Sequence, residues 1–324
     1  MHGRLTPPEI ERFLEEGYLC VPDLLRPSDL EPLREEIAGI VDATARGLLR
    51  EGAIEEAHAG EGFETRLTRL LADRPDLAPA YFRAIEGKGG GGHAGRAMFN
   101  VITHPPLLDA VEDLVGPEII GSSVYRIRPK VPGLNRGVVP WHQDSGYFAP
   151  TCDGHLVVTC WIPLVDSTPA NGCLRMLPRT HGAGVLPHHT GGNAGFLVIL
   201  DEDLPAPPEG AVAVPVPLGG VLFLTNLTPH CSTPNETDVI RWSVDLRYQG
   251  SDAPTNAFHG PPEVDATAPE VRMACYPPEA DFVVRSRALP DSVTTFEEFA
   301  ARRALYERAA IPGPRRGWQP VPTP

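Results

Sequence analysis

The sequence predicts a mainly β fold with flanking helices, a double-stranded β-helix of the jelly-roll, cupin-like type. From residue 119 to residue 250, short apolar runs alternate with turns rich in proline, glycine and asparagine. The 324 residues contain 37 prolines and 32 glycines but only 7% aromatic residues, which is typical of turn-rich folds. The sequence has no internal repeat and no β-α-β alternation, so a doubly wound parallel sheet is disfavoured.

The first 118 residues predict mostly helices that pack against the sheet. Thr6-Pro7-Pro8-Glu9 has the pattern of a capping box with proline in the first turn. Gly17 ends that helix, a short strand covers 18–21, and Ser28 opens a second helix whose apolar residues recur at helical spacing. Further helical patterns occur at 51–86 and 107–115.

The predicted strands of the jelly roll are short and closely spaced. They cover residues 119–120, 124–127, 138–139, 156–165, 174–177, 196–200, 211–216, 221–224 and 239–248. We expect one domain over residues 1–324, which consists of a helical buttress at 1–118, a jelly-roll core at 119–250 and a C-terminal extension at 251–324.

Two glycine- and proline-rich segments are expected to be irregular. The stretch 87–95 lacks both the serine or threonine after its lysine and the preceding strand that a phosphate-binding loop needs, so it predicts a flexible loop. A closing helix is predicted over 295–310. The proline-rich tail after it is expected to be disordered, to fold back over the site, or to serve a second subunit.

Charge and cysteine usage exclude several classes of partner. The chain has 42 acidic and 28 basic residues and a net charge of −14, which argues against nucleic-acid and anionic-membrane partners. None of the six cysteines forms a C-x-x-C pair, which disfavours a zinc knuckle. The longest apolar stretch, 156–165, is too short to cross a bilayer. We expect a cytoplasmic protein with reduced thiols and a small-molecule substrate; the oligomeric state stays open.

The segment from Trp141 to Phe148 contains the candidate site. His142 and Asp144 are two positions apart, so both side chains leave one face of an extended chain. His230, which follows a proline, is the best candidate for a third ligand. Two histidines and a carboxylate make the facial triad of non-haem iron(II) oxygenases. Arg241 further on suits the carboxylate of a cosubstrate such as 2-oxoglutarate, because its planar fork binds carboxylates bidentately.

Other interpretations of the metal site and of its neighbouring residues remain open. A His-x-Asp pair alone is common by chance, and zinc hydrolases also use such ligands, although a helical H-E-x-x-H is absent. Gln143, Tyr147 and Phe148 flank the triad and are candidate substrate contacts, while the two aromatic residues are equally suited to a core. The alternating cations Arg126, Arg128 and Lys130 form a further candidate group, in which one faces inward and holds an anion; Arg128 is the candidate substrate contact.

The chain resembles the phytanoyl-CoA dioxygenase-like (PhyH) family of iron(II)/2-oxoglutarate oxygenases. The matching motifs are Trp141-His142-Gln143-Asp144, the block from Cys160 to Asp166, the block from Asn171 to His181, His230-x-Ser232 and Arg241-x-Ser243. The sequence differs at Pro178-Arg179-Thr180-His181, where many members have Pro-Gly-Ser-His.

The resemblance implies a role for each matching residue. It implies that His142, Asp144 and His230 bind Fe(II) and that Arg241 binds the far carboxylate of 2-oxoglutarate. It implies that Ser232 assists that arginine and that Trp161 and Tyr125 line the cosubstrate pocket. Halogenases of this type replace the carboxylate ligand by a small residue, so Asp144 favours hydroxylation or another oxidation.

The function expected from residues and resemblance together is oxidation of a C–H bond with Fe(II), 2-oxoglutarate and O₂, releasing succinate and CO₂. We expect the substrate to be a small or medium-sized metabolite, with secondary metabolism favoured. The alternative from another class is a cupin-like metal protein, an isomerase or binding module, that does not act as an oxygenase. Arg241 and Ser232 argue against that alternative, because a simple metal cupin has no need of a dicarboxylate anchor.

Overall fold

The computed structural model describes residues 4–87, 93–122, 125–148, 150–253, 281–308 and 316–322. Most of the glycine-rich loop, the first residue of the predicted strand 124–127 and the first residues of the proline-rich tail lie outside these ranges. The helices in the described part of the chain are α1 (Pro7–Glu16), α2 (Pro27–Arg50), α3 (Arg66–Asp73), α4 (Ala78–Glu86), α5 (Arg96–Ile102), α6 (Pro105–Val115) and α7 (Phe296–Arg308). The strands are β1 (Tyr18–Val21), β2 (Ile119–Gly121), β3 (Arg126–Lys130), β4 (Val157–Pro163), β5 (Leu174–Met176), β6 (His189–Thr190), β7 (Val212–Val214), β8 (Val221–Thr225), β9 (His230–Ser232), β10 (Arg241–Gly250), β11 (Phe282–Arg285) and β12 (Gln319–Pro320).

Two antiparallel sheets form the jelly roll. The major sheet has the order β1-β8-β4-β10-β2-β11, and β3 also pairs with β10. The minor sheet has the order β7-β5-β9. A buried apolar cluster joins Trp161 and Leu222 of the major sheet to Met176 and Val214 of the minor sheet, so the two sheets pack face to face.

Strand β10 shows why the major sheet has two different faces. All ten of its residues are buried, and polar and apolar side chains alternate along it. Trp242, Val244, Leu246 and Tyr248 belong to the large core cluster that includes the helices. The alternate residues, which include Arg241, therefore face the interior of the jelly roll. One face of the strand is thus covered by the helical layer, and the other supplies polar groups to the inside.

Most predicted elements match the structure to within a few residues, but two predicted strands are wrong. Residues 138–139 and 196–200 run as irregular chain. Val139 O accepts a single hydrogen bond from Ser232 N. In 196–200, Val198 forms an isolated antiparallel bridge with His189 and Ile199 N donates to Trp141 O, so neither segment is part of a ladder. Strands β6, β9, β11 and β12 and helix α5 were not predicted. None of the described helices is both long and apolar enough to cross a membrane.

Gly17 connects α1 to the turn between β8 and β9. It ends α1 with a φ of 81°, a conformation that side chains with a Cβ rarely adopt. Its carbonyl accepts hydrogen bonds from Thr225 N at 3.0 Å and from Thr228 Oγ1 at 2.6 Å. A Cβ at this position would lie 2.5 Å from His181 Nδ1 and 2.7 Å from Thr228 Oγ1.

We expect Gly17→Ala to lower the free energy of unfolding by about 2 kcal/mol, because strained backbone at one residue costs roughly 1–3 kcal/mol. Gly39→Ala is the matched control. Gly39 lies within α2, and no atom lies within 4 Å of a Cβ built there. Alanine is expected to raise stability there by about 0.5–1 kcal/mol. Chemical denaturation of both variants measures the two effects, and equal stability of the two would contradict the role of Gly17.

Candidate active site

The two histidines of the predicted site lie side by side on the minor sheet. His142 forms a β-bridge to His230, with backbone N···O distances of 3.0 and 2.9 Å in the two directions. His142 thereby extends the minor sheet beyond β9. The two imidazole centroids are 4.1 Å apart, and both residues are buried.

Backbone carbonyls set the tautomer of both imidazoles. His142 Nδ1 lies 2.9 Å from the carbonyl oxygen of Pro140, and His230 Nδ1 lies 2.9 Å from that of Thr228. An Nδ1–H donated to a carbonyl leaves Nε2 as the lone-pair donor, which is the usual arrangement of metal-binding histidines. Burial lowers the pKa of both histidines, and His230 lowers that of His142 further, whereas Asp144 opposes the shift at both. Both imidazoles are therefore neutral near pH 7 and able to bind a cation.

Asp144 meets the histidines at a turn. The chain is extended through Gln143, and Asp144 then begins a 3₁₀ turn over Asp144–Tyr147. Its carboxylate accepts hydrogen bonds from Arg247 Nη2 at 2.9 Å and Nε at 3.2 Å, and another from the Thr159 hydroxyl. Burial opposes ionisation, but the Arg247 guanidinium holds the pKa of Asp144 well below its usual range. The carboxylate is therefore charged at neutral pH.

Arg247 and Asp245 are functional candidates that the sequence analysis missed. Arg247 Nη1 donates to Asp245 at 2.9 Å, and Arg128 pairs with the same carboxylate through Nε at 2.7 Å. A chain of ion pairs thus runs from Arg128 to Asp144 along the inner face of the major sheet. A signal was available, because Asp245 and Arg247 follow Arg241 at the period of a strand.

A cavity of about 170 Å³ lies between the two sheets and is lined by His142, His230, Arg128, Asp245 and Arg247. His142, Asp144 and His230 are a group able to hold one metal ion, with ligand atoms within 4.8 Å of one another. The set of two neutral imidazoles and one carboxylate suits Fe(II) and leaves coordination positions open. The cavity wall contains both histidines and, further in, Arg241, Ser232 and Trp161.

Arg241 is buried and incompletely paired. Its Nη1 donates to Ser243 Oγ at 3.1 Å, and its guanidinium carbon lies 5.1 Å from the ring centroid of Trp161. Among the residues that the structure describes, Nε has no hydrogen-bond partner. Burial and then the nearby Arg128 lower the pKa of Arg241 to about 9. A buried guanidinium with an unused donor fits the carboxylate of a bound cosubstrate.

Tyr125 does not line this cavity, although the resemblance implied that it would. It precedes β3 on the side opposite Arg126, Arg128 and Lys130 and is buried against the helical layer. Its hydroxyl donates to the carbonyl of His93, and its ring stacks on Phe299 with centroids 5.9 Å apart.

The residues that flank the triad have structural contacts. The Gln143 amide donates to Gly184 O at 2.8 Å and Leu227 O at 2.6 Å, so it joins two loops. Tyr147 accepts a hydrogen bond from Leu197 N at 2.8 Å, and Phe148 packs in a small apolar cluster. These three candidate substrate contacts lie outside the cavity wall, whereas Arg128 is part of it. Gln143 is extended and points to the face opposite His142 and Asp144, while Tyr147 and Phe148 lie at the end of the 3₁₀ turn that begins at Asp144.

Residues 316–322 near the end of the chain fold back onto the segment from Trp141 to Phe148. Trp318 Nε1 donates to Gly146 O at 2.8 Å, and its ring lies 5.2 Å from that of His188. Arg316 Nε donates to Phe148 O at 2.9 Å. Of the three expectations for the proline-rich tail, folding back onto the site region is the one that residues 316–322 fulfil.

The fold and this group of residues define the protein as a non-haem iron, 2-oxoglutarate-dependent oxygenase. A family model described as "Phytanoyl-CoA dioxygenase (PhyH)" matches residues 13–243, and the chain belongs to that family. Its cofactors are Fe(II) and 2-oxoglutarate, and O₂ is the co-substrate. The protein oxidises a small molecule, and the cupin-like alternative without oxygenase activity is not supported.

Individual relatives agree with this assignment. The chain is 24% identical over 259 residues to phytanoyl-CoA dioxygenase domain-containing protein 1 of Danio rerio, covering 73% of this chain and 87% of that protein. It is 27% identical over 249 residues to the methylphosphonate hydroxylase of Gimesia maris, covering 76% and 82%.

Two solved structures share the fold. The non-haem monooxygenase ThoJ in its apo form has a TM-score of 0.53 and 22% identity, with 92% of this chain and 97% of that chain covered. The epimerase SnoN in complex with Fe³⁺, α-ketoglutarate and nogalamycin RO has a TM-score of 0.51 and 20% identity, covering 86% and 98%.

Proposed function

We propose that His142, Asp144 and His230 bind the iron, and that Arg241 binds the far carboxylate of 2-oxoglutarate, in an enzyme that hydroxylates a small metabolite. One observation carries this proposal. The two histidines of the buried triad and a buried guanidinium with an unpartnered Nε line the same cavity. Iron(II) and 2-oxoglutarate, when bound, supply the O₂ activation that oxidises a C–H bond and releases succinate and CO₂.

The protein's own residues hold and shield this chemistry. Pro140 and Thr228 fix the orientation of the two imidazoles through their carbonyls. Arg247 fixes the carboxylate of Asp144 through two hydrogen bonds. Trp161 covers one face of the Arg241 guanidinium and keeps water from it. Ser232 also lines the cavity, and its proposed role is to assist Arg241 in binding the far carboxylate of 2-oxoglutarate.

Hydroxylation is favoured over halogenation because the carboxylate ligand is present. With iron bound, Asp144 would fill the coordination position that a halide needs. Its ion pair with Arg247 also makes the position costly to vacate, since a buried arginine would lose its partner.

The charge of the chain favours a small metabolite over an acyl-coenzyme A ester as substrate. A net charge of −14 disfavours binding of a polyanionic coenzyme A group. The methylphosphonate hydroxylase among the relatives is named for a small substrate.

Succinate formation without an added substrate tests the assignment of cosubstrate and metal. Under air, protein with Fe(II), ascorbate and 2-oxoglutarate is expected to release succinate slowly, and replacing Fe(II) by Zn(II) is expected to stop it. Without O₂, the Fe(II)–2-oxoglutarate chelate is expected to give its visible charge-transfer band. Bound iron with neither band nor succinate would contradict the proposal.

A further inference from the structure

Lys130 is a buried cation in the wall of the active-site cavity. It ends β3 and is only 1% exposed. In the antiparallel pairing of β3 with β10 it lies directly opposite Arg241. Residues opposite each other on neighbouring strands point to the same face, so the two cations share the inner side of the sheet.

The fold is shaped around the aliphatic part of this lysine. A Cβ at Gly137 would lie 3.0 Å from Lys130 Cγ, and one at Gly172 would lie 2.9 Å from Lys130 Cδ. Gly172 also has a φ of 80°. Two glycines on different loops therefore leave the channel through which the side chain reaches the cavity.

The polar contacts of Lys130 include no acid. Its Nζ donates to Ser232 Oγ at 2.8 Å and to the carbonyl of Thr233. Within the described ranges, neither Lys130 nor Arg241 forms an ion pair with a carboxylate. Burying two adjacent cations without an anion is costly, and proteins pair such charges or neutralise them.

The protonation of Lys130 responds to this environment. Burial and then Arg241 lower its pKa to about 6; Arg128 acts in the same direction, while Cys231 and Cys173 oppose it. Above pH 6 the amine is therefore mostly neutral in the ligand-free protein. A carboxylate placed between Lys130 and Arg241 would raise that pKa, so the amine would take up a proton when the anion binds.

We propose that Lys130 is a second cationic contact for the far carboxylate of 2-oxoglutarate, beside Arg241. This inference rests on the proposed role of the cavity as the 2-oxoglutarate site. Lys130 donates to Ser232 in the absence of the anion and binds the carboxylate in its presence. A merely structural lysine, which would join β3 to β9 through Ser232 and Thr233, makes no such distinction.

Calorimetric titration of the protein with two 2-oxo acids distinguishes a carboxylate-binding role of Lys130 from a structural one. Pyruvate has the 2-oxo acid head of 2-oxoglutarate but lacks the far carboxylate. With Ni(II)-loaded protein, Lys130→Met is expected to lower the affinity for 2-oxoglutarate about ten- to a hundred-fold and to leave the affinity for pyruvate unchanged. An equal loss of affinity for both acids, or a lower affinity for Ni(II), would show a structural role and overturn the inference.

Proton uptake by the unaltered protein gives a second test that needs no variant. Titrations at about pH 7.5 in buffers of different ionisation enthalpy are expected to show close to one proton taken up with 2-oxoglutarate and none with pyruvate. If Lys130→Met does not fold, equal uptake with the two ligands overturns the inference. Failure of the unaltered protein to bind 2-oxoglutarate at all would instead contradict the proposed function.

Discussion

Replacing Asp144 by alanine is expected to abolish iron binding and succinate formation. The change removes the only carboxylate of the triad, so we expect iron affinity to fall by at least a hundred-fold and turnover to fall below detection. Asp144 is also the buried partner of Arg247, whose side chain is 7% exposed. Breaking a buried pair by removing one member costs about 3–5 kcal/mol, so the variant is expected to be less stable as well.

The loss of stability and the loss of iron are separated by two further variants. Asp144→Asn keeps an oxygen that accepts a hydrogen bond from Arg247 but lacks the charge, and it is expected to fold better than Asp144→Ala while binding little iron. Asp42→Ala is the matched control, because Asp42 is ion-paired with Arg66 at 2.8 Å in the helical layer. We expect it to lose stability and keep its iron. Metal analysis after dialysis, with unfolding curves, gives both quantities; normal iron content in Asp144→Ala would refute the assignment.

Sequence reasoning succeeds where a pattern is local. The capping box at Thr6, the end of α1 at Gly17 and the short strand that follows all depend on neighbouring residues, and the structure has them. The predicted strands at 138–139 and 196–200 fail for a physical reason. The neighbouring chain offers Val139 one hydrogen bond and Val198 an isolated bridge to His189, but it offers neither segment a ladder.

In the candidate site, too, some residues can be identified from local sequence and others cannot. His142, Asp144 and Arg241 could be selected from residue type and spacing, because metal and carboxylate binding need those chemical groups. The contact between Arg247 and Asp144 depends on which strands pair, and no local pattern specifies it. Gln143 lies between two triad residues in sequence, yet its side chain points away from them to Gly184, because successive side chains of an extended chain leave opposite faces.

Replacing Arg241 by methionine is expected to have opposite effects on cosubstrate binding and on stability. Each hydrogen bond to a charged group contributes about 1.5–3 kcal/mol, so loss of two such bonds to a carboxylate predicts at least a hundred-fold weaker binding of 2-oxoglutarate. Iron affinity is expected to be unchanged, since Arg241 donates only to Ser243 among the described residues. Without ligand, the variant is expected to be more stable than the unaltered protein, because the substitution removes a buried guanidinium whose Nε has no partner among the described residues.

Arg66, an ion-paired arginine in the helical layer, is the control for the expected gain in stability of Arg241→Met. Arg66 is paired with Asp42 and also donates to the carbonyl of Ala57 through Nε at 3.1 Å. Arg66→Met is therefore expected to lower the melting temperature and leave 2-oxoglutarate affinity unchanged. If Arg241→Met instead bound 2-oxoglutarate normally and lost stability as Arg66→Met does, Arg241 would be an ordinary structural arginine. The opposite result would mean that this guanidinium is kept, at a cost in stability, for an anion that the folded chain itself does not supply.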